Sequence, residues 1–133
     1  MKEYAASEWQ RAARALETAA LLVATDPEAS ASRAYYAAFH AVTALFALRG
    51  QSFTRHAALR AVVHKDLVKT GEWSVELGKD YDGLVSLRQA GDYGGLERLK
   101  EQDAFKAAAA ARRILDACQR TNPELGSASQ AQP

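Results

Sequence analysis

Cysteine is almost missing from this 133-residue chain. Cys118 stands alone, so no intrachain disulfide can form and no cysteine-based metal site exists. A reducing cytoplasm fits that usage. Proline occurs only 3 times, and no useful length of chain alternates apolar and polar residues with period two; strands are not expected. The run Ala34–Leu48, in which only His40 and Thr43 are not apolar, has 15 residues, whereas a membrane-spanning helix needs about 20. Arg33 and Arg49 bracket it. The opening "MKEYAASEWQ" has no apolar core and reads as no signal peptide. An excess of one charge is missing too. The 17 Lys and Arg face 16 Asp and Glu, a formal net of +1. That balance argues against binding nucleic acid through bulk charge but leaves a local basic patch open. No metal or other cofactor is expected. His56 and His64 are eight residues apart, ~12 Å along a helix axis, too far to share a metal. The HExxH pattern, the phosphate-binding glycine loop and the serine-nucleophile elbow are all absent.

What is present are apolar residues recurring at steps of three and four, in a length that suits one domain with a real core. Helix one is predicted from about Tyr4 to Ala24, with Trp9, Ala12, Leu16, Ala19 and Val23 along one stripe. Asp26-Pro27-Glu28 starts helix two, as a cap, a first-turn proline and an acid at the positive end of the dipole. Gly50 ends it where a left-handed residue is wanted, giving a helix of ~34 Å. Thr54 is the expected cap of helix three, which ends near Lys69 before Gly71. Ser74 is the expected cap of helix four, which carries Leu77, Tyr81, Leu84 and Leu87 and is broken by "AGDYGG" from Ala90. Gly78 and Gly83 weaken it by ~1 kcal/mol each relative to alanine. Helix five runs from about Glu101 to Arg120 and stops at Asn122-Pro123. Residues 1–122 are thus expected to form one helical bundle and 123–133 a disordered tail.

Helix two has three faces. Tyr35, Phe39, Val42 and Phe46 form an aromatic-rich one. Ala34, Ala38, Ala41, Leu45 and Leu48 form a second, whose small residues permit close packing. Arg33, Tyr36, His40 and Thr43 form a polar third. Two apolar faces imply a helix central to its own bundle, or one that also meets a second copy of the chain; a homodimer is expected. The polar stripe reads either as internal hydrogen bonding, with His40 satisfied by a core partner, or as the wall of a cleft for an anion or a base. In "LRQAGDYGG", Arg88 falls at the predicted helix end, and Asp92 and Tyr93 in a glycine-flanked loop. They read either as a helix terminus or as a binding loop. The stretch from Arg49 to Lys69 is locally basic (Arg49, Arg55, Arg60, Lys65 and Lys69, with His56 and His64), and the stretch from Glu72 to Asp92 acidic. The basic stretch is either a solvated helix face or a phosphate-facing patch.

These pieces together, "SRAYYAAFHAVTALFALRG", "TRHAALR" and "LRQAGDY", resemble the HEPN family (higher eukaryotes and prokaryotes nucleotide-binding), in its small stand-alone prokaryotic branch. The resemblance runs from about Ala5 to Arg120. It implies an all-α, antiparallel up-and-down bundle of four to five helices that dimerises, and a place in nucleotide or RNA biology. It also implies a toxin-like role beside a nucleotidyltransferase antitoxin. Ribonucleases of the family carry an arginine, four to six residues, then a histidine, and need no metal. Here Arg88 matches the arginine, and Tyr93 stands where the histidine would be. A phenol with pKa ~10 is a poor base at neutral pH beside an imidazole near 6.5, so the expected role is binding. Arg88 would hold phosphate, Asp92 would orient Arg88 or a ribose hydroxyl, and Tyr93 would stack or hydrogen-bond. Arg33, Tyr36, His40, Arg55 and His56 are the further candidates. Arg33 and His40 fit the same letter pattern but lie on helix two, away from the motif's place. Two alternatives remain: a metal-independent endoribonuclease using His40 or His56 as base, and a non-catalytic oligomerisation or docking module.

Overall fold

The computed structural model describes residues 1–93 and 98–126. It is all-helical over those residues: α1 Lys2–Leu22, α2 Pro27–Leu48, α3 His56–Val62 continuing as a π-helical segment Val63–Val68, α4 Val75–Tyr93, and α5 Glu101–Thr121. None of these helices is long and apolar enough to cross a membrane.

The start and stop signals of α2 act as expected. The Asp26 carboxylate accepts from the Ala29 backbone N–H at 3.2 Å, Pro27 takes the first turn, and Gly50 adopts φ +78°. The Ser74 hydroxyl accepts from the Leu77 N–H at 3.2 Å and so caps α4. At α5 the Lys100 N–H donates to the Asp103 carboxylate at 2.9 Å. Thr54 does not cap α3. The helix begins at His56 after Arg55 with no side-chain cap, because the His56 ring is pinned to α2 and sets the first helical residue. Nor does "AGDYGG" break α4 at Ala90; the helix runs on through Tyr93. Gly91 lies inside the helix, where a Cβ would sit 3.5 Å from the Glu28 carbonyl and 3.3 Å from Leu99 Cδ1. Residues 94–97, including the Gly94-Gly95 pair of that motif, lie outside the described residues.

Helix α2 packs against every other helix. Both of its apolar faces are covered within one chain, with Ala34, Ala38, Ala41, Val42, Leu45 and Phe46 fully buried. Its alanines let α1 and α5 come close, and its aromatic face is left for α3 and α4. Trp73, between the π segment and α4, is buried and donates from its indole N–H to Thr121 Oγ1 at 3.0 Å. This ties that connection to the end of α5. Cys118 is fully buried, and burial pushes its thiol far up from the usual range. Beyond Asn122 the chain turns and buries Leu125, so packing extends a few residues past the boundary expected at 122. The remainder of the expected tail, 127–133, lies outside the described residues.

Because Ala38 is fully enclosed, Ala38→Leu is expected to lower stability by about 1–3 kcal/mol through overpacking. Urea denaturation monitored by circular dichroism checks this.

Candidate functional site

The aromatic face of α2 gathers the side chains of interest. Tyr35 is buried, and its hydroxyl lies 2.5 Å from His56 Nδ1. His56, the first residue of α3, also stacks on Phe39 with centroids 4.5 Å apart and planes 23° from parallel. Arg88 reaches across from α4 with its guanidinium carbon 5.2 Å from the Tyr35 ring centroid and 5.3 Å from that of Tyr36. Arg33 meets Tyr36 at 5.0 Å. Such cation–π contacts hold a guanidinium in place without neutralising it.

A cleft of about 440 Å³ opens between α3 and α4 beside this cluster. Its polar lining is Tyr35, His56, Arg60, His64, Arg88 and Gln89, over an apolar floor of Ala57, Ala61 and Val85. Among the described residues no carboxylate lines it. Asp82 accepts from Arg60 Nε at 2.8 Å and pairs with His64 Nε2 at 2.9 Å. Burial alone would raise the Asp82 pKa, but the hydrogen bonds from His64 and Arg60 outweigh it and hold the carboxyl below its usual range. Asp92 Oδ2 lies 3.2 Å from Arg88 Nε, close enough for an ion pair, yet that buried N–H has no hydrogen bond of good geometry. Burial, then the positive charge of Arg88, then His40, push the His56 pKa down. Burial raises that of Tyr35. Both groups are therefore held in their neutral forms.

The π-helical segment places His64. Its wider turn presses His64 and Val68 toward α4 at Gly78, where a Cβ would lie 3.0 Å from Val68 Cγ2 and 3.2 Å from His64 Cε1. Irregular turns of this kind are frequent at functional sites.

Of the residues singled out from the sequence, His56 and Arg88 line the cleft, and Tyr36 and Arg33 adjoin it through Arg88's stacking. Asp92 sits in the last turn of α4 rather than in a loop, where it serves Arg88. Tyr93 is the last residue of that helix, and its side chain lies outside the described residues. Arg55 is exposed and precedes α3 without lining the cleft. His40 does not line it either: its Nδ1 is 3.3 Å from Glu8 Oε1, and Glu8 is buried on α1. Four lining residues escaped the sequence reading as site residues: Tyr35, Arg60, His64 and Gln89. The signal for two of them was there, since His56, Arg60 and His64 recur at steps of four within the basic stretch.

The HEPN domain family model matches residues 6–121. A UPF0332 protein of Thermotoga maritima is 36% identical over 126 residues, covering 93% of this chain and 96% of its own. A protein of Methanocaldococcus jannaschii that carries a provisional toxin name is 30% identical over 73 residues, which span 55% of this chain and 50% of that protein.

His56 is expected to titrate below its ordinary value of about 6.5, and Arg88→Ala to raise its midpoint. The folded pKa is the lower one, so the stabilising contribution is present above about pH 6.5 and is lost as pH falls through the folded value. Imidazole NMR signals followed against pH, in wild type and Arg88→Ala, check both.

Proposed function

The chain belongs to the HEPN family, and from that premise we propose that the cleft between α3 and α4 binds a nucleotide or a single-stranded RNA segment by its phosphate. The observation that carries this reading is Arg88. Its guanidinium stacks on two tyrosines, keeps a buried N–H without a hydrogen bond, and shares a carboxylate-free cleft with Arg60. Its Nε is turned toward Asp92 Oδ2 at 3.2 Å, so the terminal guanidinium nitrogens would be the donors that meet an anionic oxygen. Asp92, one helical turn on, orients Arg88. The apolar floor of Ala57, Ala61 and Val85 suits the face of a base, and the cleft's volume suits one nucleotide rather than a duplex. Tyr93 remains the residue that would stack or hydrogen-bond at the end of α4.

A toxin-like role fits this reading and is supported by the name of the archaeal relative. Self-association as a homodimer and pairing with a nucleotidyltransferase antitoxin belong to the same proposal. Light scattering of the purified chain reads the first.

One observation favours a second reading, metal-independent cleavage of RNA. His56 stands in the same cleft as Arg88 and is held neutral, the state a general base requires. Of the two histidines offered by the sequence, His40 is engaged by Glu8. RNA cleavage in the presence of chelator, abolished by His56→Ala, would establish this reading.

The test of the leading reading is a titration of the full chain with ATP and with a short single-stranded RNA. Arg88→Ala is expected to weaken binding about tenfold or more, as loss of a charge-assisted hydrogen bond does, with the helical spectrum unchanged. Absence of binding by wild type and variant alike would leave the third reading, a docking module.

A further inference from the structure

Two guanidiniums share one ring beside the cleft. Tyr36, half-buried on α2, has Arg33 Cζ 5.0 Å and Arg88 Cζ 5.3 Å from its ring centroid. The ring is held in place, since Tyr35 and His56 meet it edge-on with centroids 5.2 and 5.9 Å away. Sharing that ring puts the two cations at most about 10 Å apart, the Debye length at about 0.1 M salt. They can therefore act on one ligand. Yet only Arg88 lines the cleft. Arg33 is exposed and lies one turn of α2 before Tyr36.

The arginines of this face differ in their company. Asp92 pairs with Arg88, and Asp82 with Arg60. Arg33 has no ion pair among the described residues. Its helical neighbours at three and four residues are Ala29, Ser30, Tyr36 and Ala37, none of them acidic. Glu8, the acid that meets this side of α2 through His40, is buried and turned to His40 Nδ1 at 3.3 Å and Arg11 Nε at 3.7 Å. The tyrosine face that holds Arg33 leaves its charge whole. A planar, exposed and uncompensated guanidinium on a fixed ring is suited to a phosphate.

We propose that Arg33 binds a second phosphate, one nucleotide along from the phosphate on Arg88, so that the ligand of this face is a single strand of at least two linked nucleotides rather than a free mononucleotide. This rests on the reading of the cleft as a phosphate site and names the ligand class for it. A mononucleotide fills the cleft and gives its one phosphate to Arg88. A pyrophosphate places its second charge directly beside the first. A strand places it a nucleoside further on, past the cleft's edge, where Arg33 stands. The next base of that strand also meets a flat cation backed by a phenol, and nucleobases stack on guanidinium planes as they do on aromatic rings. The strand leaves the cleft over Tyr36 toward the first turns of α2.

The experiment is calorimetric titration of the full chain with AMP, with ADP, and with pApA, a dinucleotide of adenosine that carries a 5′-phosphate. ADP and pApA have two phosphates each, so the pair separates a pyrophosphate from a strand. The wild type is expected to bind pApA about tenfold more tightly than AMP, as one added charge-assisted hydrogen bond provides, with ADP close to AMP. Arg33→Ala is expected to collapse the ratio of the pApA and AMP affinities, and Arg33→Lys, which keeps the charge, to restore part of it. Arg88→Ala is expected to weaken both ligands. Equal binding of AMP and pApA by the wild type overturns the inference. So does a ratio that survives Arg33→Ala, including one that survives because both ligands are lost together. An Arg33-dependent gain that ADP shows as strongly as pApA assigns the second phosphate to a pyrophosphate and overturns the strand. A wild type that binds none of the three overturns the cleft reading instead, so the two failures are told apart.

Discussion

Burying α2 on almost every side obliges each polar group it carries to find a partner inside the protein, and the rest of the structure follows from how that is done. Ser30 Oγ donates to the Ala19 carbonyl of α1 at 2.6 Å. Thr43 turns back on the Phe39 carbonyl at 2.7 Å. His40 meets Glu8, drawing a carboxylate into the α1–α2 seam. Tyr35 alone among these is satisfied by a group that is itself exposed, His56. Buried polar groups of this sort add little net stability when paired and cost a great deal when not. They specify which helix sits where. The contact that starts α3 at His56 is one such specification, and it opens the cleft along the same line.

Electrostatics on the outside contribute differently. Arg49 with Glu72, and Arg113 bidentate on Asp80 at 2.8 and 2.9 Å, join neighbouring elements over exposed ground, where such pairs are worth ~1 kcal/mol or less. Around the cleft each arginine has a carboxylate at hand: Asp82 pairs with Arg60 and His64, and Asp92 with Arg88, while no carboxylate among the described residues lines the cleft itself. In a chain with a formal net charge of only +1, such local placement of charge matters more than any excess of lysine.

The bundle was legible because its signals are local. Asp26-Pro27-Glu28, Ser74 and Gly50 each act within one turn, and the three- and four-residue periodicity of α2 already marked it as central. The membership of the site was legible in part. Arg88 stood out at the predicted end of helix four, and His56 in the basic stretch and in "TRHAALR". Tyr35 did not, because from sequence a tyrosine on an aromatic stripe reads as core, and it is core; its hydroxyl's partner lies 21 residues away. His64 was excluded as a metal ligand and legible only as part of the basic stretch; the π-helical segment that carries it in the cleft was announced by no local pattern. The glycine of "AGDY" misled because a single glycine inside a helix costs about 1 kcal/mol relative to alanine without ending it. Of the two arrangements that a pair of apolar faces on α2 allowed, the chain's own bundle displays the first, with α2 as its central helix.

The burial of Cys118 has a practical consequence for work on this molecule. A thiol reagent attacks the thiolate, and this thiol is both enclosed and held protonated. The native chain is in effect blank to maleimides. A single cysteine introduced on the exposed surface near the rim of the cleft would then carry a fluorophore or spin label at one known position, with no need to remove the natural residue and open a void in the core.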